Sequence, residues 1–157
     1  MPDIYSDSWY EAVRDTINAR VATLPERDVP RGSWHAVVEI VGDGASPYVD
    51  AESVRRFLVR IDDGHCAWYR EIDTANPDGV DLDYRFVGPA TAFDEIAAGT
   101  RDPIDAALDG TVRVRGDMRF LMRQAALVKT LLEAYTHGVQ TEWPQGQPPY
   151  NGSGGDA

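Results

Sequence analysis

An Asp63-Gly64 pair separates two segments that are rich in β-branched and aromatic residues, residues 55–61 and residues 65–72. In the first segment, apolar side chains at every second position fall on one face of an extended chain. An Asp-Gly pair adopts the positive φ angles that a two-residue hairpin turn requires. The sequence therefore predicts an antiparallel hairpin, and the rest of the fold must be arranged around a β-sheet.

Similar patterns predict three further strands and four helices. Ser8 and Glu11 have the spacing of a capping box at the start of the first helix, and Asp102 followed by Pro103 is typical of a helix start. The remaining elements follow from apolar periodicity and from glycines at helix ends. The predicted elements are a first helix to about Leu24, strands at 34–41, 82–86 and 111–115, short helices beginning at Thr91 and Asp102, and a final helix from Asp117 to about Gly138.

Charge and composition exclude several classes of function. The chain has 15 basic and 26 acidic residues, a formal net charge of −11, which opposes binding to phosphate backbones and to anionic membrane surfaces. No nucleic-acid partner is expected.

Cys66 is the single cysteine, so no intramolecular disulfide is expected. The N-terminal residues lack the pattern of a secretory signal, and no apolar run approaches the roughly 20 residues that span a bilayer, so we expect a cytoplasmic protein without stable membrane insertion.

The C-terminal residues differ in composition from the rest of the chain. From Trp143 onward the sequence consists mostly of Gly, Pro, Gln, Asn and Ser. Such a segment has too few apolar side chains to offset the entropy lost on ordering. We therefore predict a folded domain at residues 1–138 and a disordered tail at residues 139–157.

The predicted final helix is unusually apolar. Between Phe120 and Tyr135, apolar residues spread around most of the helix. A helix resting on one sheet needs an apolar stripe only about 100° wide. The surplus apolar surface must be buried in a tunnel, against a partner chain, under a lid, or inside an ordinary core.

The segment from Leu82 to Tyr135 resembles the sterol carrier protein 2 family of lipid-binding domains. The most specific part of the resemblance is the run Asp109-Gly-Thr-Val-Arg-Val-Arg-Gly-Asp-Met118, a short alternating strand between glycines. In layout the resemblance extends over residues 6–136. It implies an α+β fold with a sheet of about five mostly antiparallel strands, covered on one side by helices. It also implies an apolar tunnel between sheet and helices that takes sterols, fatty acids or fatty acyl-CoA.

The resemblance further implies which side chains would approach a ligand, although each of them is also compatible with ordinary core packing. These residues are Phe57, Val59, Tyr84, Phe86, Phe93, Ile96, Ile104, Leu108, Leu121, Ala125, Val128 and Leu132. The segment beyond residue 138 has no counterpart in the family pattern. The acidic charge balance argues more strongly against delivery of lipid to membranes than against lipid binding itself.

No catalytic residues, metal site or cofactor are predicted. His35, His65 and His137 are scattered, and adjacent residues of a strand point to opposite faces, so His65 and Cys66 cannot form a local chelate. The stretch Asn76–Asp81 lacks the first and twelfth ligands of a calcium loop and is interpreted as a turn.

One concentration of basic residues has two interpretations. It is either a site for a carboxylate or phosphate head group, or a solvated surface neutralised by Asp102, Asp105, Asp109 and Asp117. Its members are Arg101, Arg113, Arg115, Arg119 and Arg123.

Three functions are consistent with the sequence. The first is non-enzymatic binding of a lipid or other apolar small molecule, in which apolar burial supplies the affinity. The second is an accessory module that presents an apolar surface to a partner enzyme, as similar domains do when appended to alkyl sulfatases, or that forms a homodimer. The third is a small isomerase or cyclase that uses His35, Asp83 or Tyr84 as acid and base.

Overall fold

The computed structural model describes residues 1–77, 79, 81–137 and 139–150. Five strands and five α-helices follow one another in this part of the chain, with a 3-10 turn at Glu26–Asp28. Their bounds are α1 Asp7–Val21, β1 Ser33–Val41, β2 Val54–Asp62, β3 His65–Ile72, β4 Tyr84–Pro89, α2 Ala90–Ala98, α3 Pro103–Leu108, β5 Arg113–Arg115, α4 Met118–Arg123 and α5 Ala125–His137.

The strands form one sheet in the order β3-β2-β1-β4-β5. Three of its neighbouring pairs are antiparallel, and β1 and β4 are parallel. The predicted hairpin joins β2 to β3 through Asp63 and Gly64, whose φ angles of 48° and 83° are both left-handed. The predicted α+β fold with a five-stranded, mostly antiparallel sheet is confirmed.

The helices cover one face of this sheet. Ala36, Val38 and Ile40 of β1 point to that face and belong to the main hydrophobic core. α1 packs on β3 and α5, and α2 packs on β1, β4 and α5. The core is thus a single layer of apolar side chains between sheet and helices.

The opposite face of the sheet carries charged side chains. Glu39 accepts hydrogen bonds from Arg56 Nε at 2.7 Å and from Arg85 Nη1 at 2.8 Å. The segment between β3 and β4 crosses this face, where Arg85 Nη2 donates to the carbonyl of Ala75. An ion-pair network and the crossing segment therefore cover the side of the sheet that the helices leave open.

The first helix begins two residues earlier than its capping-box pattern suggests. Ser6, and not Ser8, is the N-cap, and its Oγ accepts a hydrogen bond from the backbone N–H of Trp9 at 3.2 Å. The register is shifted because Trp9, Tyr10 and Val13 are all buried. Packing of these side chains fixes the helix start.

The predicted final helix is two helices. α4 ends at Arg123, Gln124 adopts φ −103° and ψ 38°, and α5 begins at Ala125. The two halves pack on different surfaces, since the Phe120 ring stacks on Tyr84 of β4 whereas α5 packs on α1 and α2. One straight helix could not make both contacts.

The segment after α5, for which disorder is predicted, makes several contacts with the rest of the fold within residues 139–150. Glu142 pairs with Asp3 in a β-bridge, and Trp9 Nε1 donates to Thr141 Oγ1 at 2.9 Å. The Trp143 ring lies 5.9 Å from Tyr48 in an edge-on contact. A few aromatic and polar anchors hold this segment despite its composition. Residues 151–157 lie outside the described residues.

Candidate functional site

The helix-facing side of β4 is covered closely by α2. Phe93 and Ile96 of α2 are buried there, and Val112, just before β5, is buried beside them. A Cβ on Gly88 of β4 would lie 3.0 Å from Val112 Cγ2 and 3.1 Å from Phe93 Cε2. Glycine at this position therefore lets the two side chains approach the strand.

α4 and α5 cover the same end of the sheet less completely. α4 has no buried side chain, and its Phe120 and Leu121 are only half-buried against the core. Val128 and Leu131 of α5 are likewise half-buried. The apolar layer beneath these helices is thus enclosed in part by side chains that still expose some of their surface.

A cleft of about 490 Å³ lies beside the start of β4 and the turn after β5, and its lining is mainly polar. A second cleft, of about 240 Å³, opens between the α2–α3 connection and α5. Ile104 and Leu132 supply apolar surface to the second cleft, and Arg101, Lys129 and Thr136 supply polar groups. This second cleft lies on the outer side of the helices, between the end of α2, the start of α3 and α5.

The structure divides the predicted ligand-contacting residues into three groups. Phe57 and Val59 lie in the main core, and the Phe57 ring stacks on Tyr10 of α1 with centroids 4.4 Å apart. Ile104, Leu108 and Ala125 are exposed, the first two at 48% and 81%. The others are buried or half-buried on the helix-facing side: Tyr84, Phe86, Phe93, Ile96, Leu121, Val128 and Leu132.

A buried carboxylate in α2 was missed by the sequence reasoning. Asp94 is fully buried, and its two oxygens accept hydrogen bonds from the hydroxyls of Tyr5 and Tyr150, each at 2.5 Å. Burial raises the pKa of the Asp94 carboxyl, although these hydrogen bonds oppose the shift. Its spacing from the buried Ala90 and Ala97 places it on the core face of an amphipathic helix, a signal that could have identified it.

The residues considered for acid–base catalysis do not converge. Tyr84 pairs with Ala36 across the sheet and points to the helices, where its hydroxyl donates to the carbonyl of Asp117 at 3.3 Å. His35 precedes Ala36 in β1, so its side chain points to the opposite face, near Trp68. Asp83 accepts a hydrogen bond from the backbone N–H of His35. This geometry places the Tyr84 hydroxyl and the His35 ring on different sides of the sheet.

Two further observations concern metal binding and membrane-spanning helices. Within the described residues, no three His, Cys, Asp or Glu side chains are grouped so that they could hold a metal ion. In the same part of the chain, every helix is too short or too polar to cross a bilayer.

The fold matches solved structures of sterol carrier proteins. A conserved hypothetical protein from Thermus thermophilus, described as possibly a sterol carrier protein, matches 93% of this chain and 96% of its own, with a TM-score of 0.68 and 14% identity. A crystal structure of sterol carrier protein 2 matches 86% of this chain and 98% of its own, with a TM-score of 0.65 and 14% identity. No family model and no curated protein matches the sequence. The chain therefore has the fold of the sterol carrier protein 2 family.

Proposed function

We propose that this protein binds a fatty acid, a fatty acyl-CoA or a sterol-like lipid, without catalysis, in an apolar tunnel between the sheet and the helices. The incomplete burial of the helical layer over β4 carries this proposal. Phe120, Leu121 and Leu131 pack against the core without being sealed from solvent. The match to sterol carrier protein 2 in fold supports lipid binding as the function.

The ligand is expected at the β4 end of the core because the α1 end is filled. Around Phe57, the rings of Tyr10 and Tyr69 are 4.5 Å apart, and Trp9 meets Tyr135 edge-on at 5.2 Å. Such packing leaves no room for an acyl chain. α3 and α4 bury little surface, so a small displacement of these helices would open the β4 end.

Apolar burial would supply most of the affinity, at about 0.8 kcal/mol for each methylene group removed from water. The second cleft has Ile104 and Leu132 in its lining and lies at the surface of the helices. Lys129 at its rim is exposed and could meet an acidic head group, whereas Arg101 is engaged by Glu95 at 2.8 Å. We infer that an acyl chain would enter by this cleft.

An accessory role remains a second candidate. The exposed Ile104 and Leu108 of α3 present apolar surface that a partner chain could cover. Such a partner would be an enzyme acting on lipid-like substrates or a second copy of this chain. A cytoplasmic location remains the sequence-based expectation for either role.

Two matched leucine variants test the lipid-binding proposal. Leu132 lines the second cleft, and Leu24, three residues after α1, is a half-buried leucine that does not line it. We expect Leu132→Ala to lower the affinity for palmitate at least about fivefold, because the truncated side chain no longer contacts the ligand. Displacement of a fluorescent fatty acid by palmitate measures this affinity. Leu24→Ala should leave that affinity unchanged. Equal affinity in both variants, or no saturable binding by the unmodified protein, would contradict the proposal.

A further inference from the structure

Exposed apolar side chains are concentrated in one stretch of this chain. Among the described residues, each large hydrophobic side chain that is exposed, apart from Met1, lies in α3 or α4. Met118 and Met122 of α4 are 45% and 74% exposed. They lie four residues apart and therefore share one side of the helix. The half-buried Phe120 and Leu121 hold the helix to the core.

Arginines accompany these methionines. Arg113 and Arg115 are exposed on the edge strand β5, and Arg119 and Arg123 are exposed on α4. Within the described residues, none of these four arginines forms an ion pair. We call this surface the Arg–Met edge: Arg113, Arg115, Met118, Arg119, Met122 and Arg123.

Three of the aspartates near this basic surface accept hydrogen bonds from nearby backbone N–H groups. Asp102 caps α3 and Asp117 caps α4 through backbone N–H groups. Asp109 accepts a hydrogen bond from the backbone N–H of Thr111 at 2.8 Å. Among the described residues, no ion pair joins Arg113, Arg115, Arg119 or Arg123 to a carboxylate, so these exposed guanidinium groups can be reached by an external anion.

We propose that the Arg–Met edge docks the protein on the surface of a bilayer that contains anionic lipids. Interleaved cationic and apolar side chains on a short helix are typical of segments that lie in a membrane interface. The arginines would contact lipid head groups, and the flexible methionine side chains would enter the adjoining acyl region.

The uneven distribution of charge favours one orientation on such a surface. The chain carries a net charge of −11, yet residues 113–123 contain four arginines and a single aspartate. An anionic surface would attract this edge and repel the acidic remainder, so the protein would approach with α4 toward the lipid. The overall acidity, which argues against general membrane binding, here selects the docking face.

Sedimentation with lipid vesicles tests this proposal without any bound ligand. We expect the protein to bind phosphatidylcholine vesicles that contain about 30% phosphatidylglycerol, and to bind pure phosphatidylcholine vesicles far more weakly. Binding should decline as salt is raised, because exposed charges are screened. The variant Arg119→Glu/Arg123→Glu should bind the anionic vesicles at least about tenfold more weakly.

A matched double variant separates local from overall charge. Arg27 and Arg31 are exposed arginines outside the Arg–Met edge, and Arg27→Glu/Arg31→Glu changes the net charge by the same amount. This control should bind anionic vesicles nearly as well as the unmodified protein. The variant Met118→Ser/Met122→Ser, which keeps the charge, should bind at least about threefold more weakly.

Several results would overturn the docking proposal. One is no binding to anionic vesicles, the result expected if this edge serves an acidic protein instead. A second is a loss of vesicle binding in the Arg27/Arg31 control as large as that in the Arg119/Arg123 variant. A third is full vesicle binding by the Arg119/Arg123 variant. Thermal unfolding should show that all variants remain folded, since every substituted side chain is exposed. A variant of the Arg–Met edge that loses vesicle binding but keeps its affinity for palmitate would show that docking and lipid binding depend on different parts of the protein.

Discussion

Asn18 of α1 forms two hydrogen bonds with the backbone of Cys66 in β3. Its Oδ1 accepts from the Cys66 N–H at 2.7 Å, and its Nδ2 donates to the Cys66 carbonyl at 3.0 Å. The side chain thus continues the sheet's hydrogen bonding beyond the edge strand, next to the register shift between Arg60 and Ile61. This pair fixes the position of α1 against the sheet.

Replacement of Asn18 by leucine should destabilise the fold. The substitution leaves a backbone N–H and a carbonyl of Cys66 without partners, which costs about 1–3 kcal/mol for each buried group. Urea unfolding followed by tryptophan fluorescence measures the loss. Glu11→Ala, at an exposed position of the same helix, is the control and should change the free energy of unfolding by less than about 0.5 kcal/mol. Equal stability of the two variants would contradict this role for Asn18.

The ion-pair network on the open face of the sheet should make stability depend on pH. Burial of the Glu39 carboxylate acts to raise its pKa. Hydrogen bonds from Arg85 and Arg56 outweigh this effect and hold the pKa of Glu39 below its ordinary value. A group with a depressed pKa stabilises the fold above its unfolded pKa, and this contribution disappears as pH falls through the folded value.

Glu39→Gln tests that dependence directly. We expect the variant to be less stable than the unmodified protein at neutral pH, and the difference to shrink as pH falls below about 4. Denaturant unfolding at a series of pH values provides the measurement. If the difference in the free energy of unfolding grows as pH falls, the ionised Glu39 side chain does not stabilise the fold as predicted.

Tyr150 should hold the C-terminal segment to α2. Its hydroxyl donates to the Asp94 carboxylate from a position 56 residues away in sequence. Tyr150→Phe removes this bond, and hydrogen bonds to charged groups contribute about 1.5–3 kcal/mol. We expect faster proteolysis within residues 139–150, detected by mass spectrometry of the fragments. Tyr69→Phe, outside this segment, should leave the cleavage rate there unchanged, and equal rates in both variants would argue against the anchor.

Cys66 should react slowly with thiol reagents. The side chain is buried, and burial raises the pKa of its thiol to about 12, so that little reactive thiolate exists at neutral pH. In native protein the reaction should be much slower than in urea-unfolded protein. The Asn18→Leu variant should react faster because it loosens α1 from β3. Rapid labelling of the native, unmodified protein would contradict the packing of Cys66.

Local signals account for what could be predicted from the sequence. The Asp63-Gly64 turn depends on the conformational preferences of two adjacent residues, and the α3 cap depends on Asp102 and Pro103 alone. The break at Gln124 has no comparable signal. It follows from packing against β4 on one side and against α1 and α2 on the other, which periodicity within one segment cannot reveal.

Long-range partners explain the features that were missed. Asp94 receives its hydrogen bonds from Tyr5 and Tyr150, near opposite ends of the chain. Residues 139–150 likewise make contacts with Trp9 and Tyr48, far away in sequence. The family resemblance placed Phe57 and Phe93 in the same predicted site, but only the fold shows that Phe57 belongs to the aromatic packing under α1.

We propose that the apolar layer under α2, α4 and α5 opens to hold an apolar small molecule. Native mass spectrometry of freshly purified protein, followed by organic extraction and identification of any released compound, tests it most directly. We predict a fatty acid, acyl-CoA or sterol-like lipid at close to one molecule per chain. Protein that arrives empty and stays empty when offered these lipids would contradict the claim, and the exposed apolar surface of α3 would then favour the accessory role.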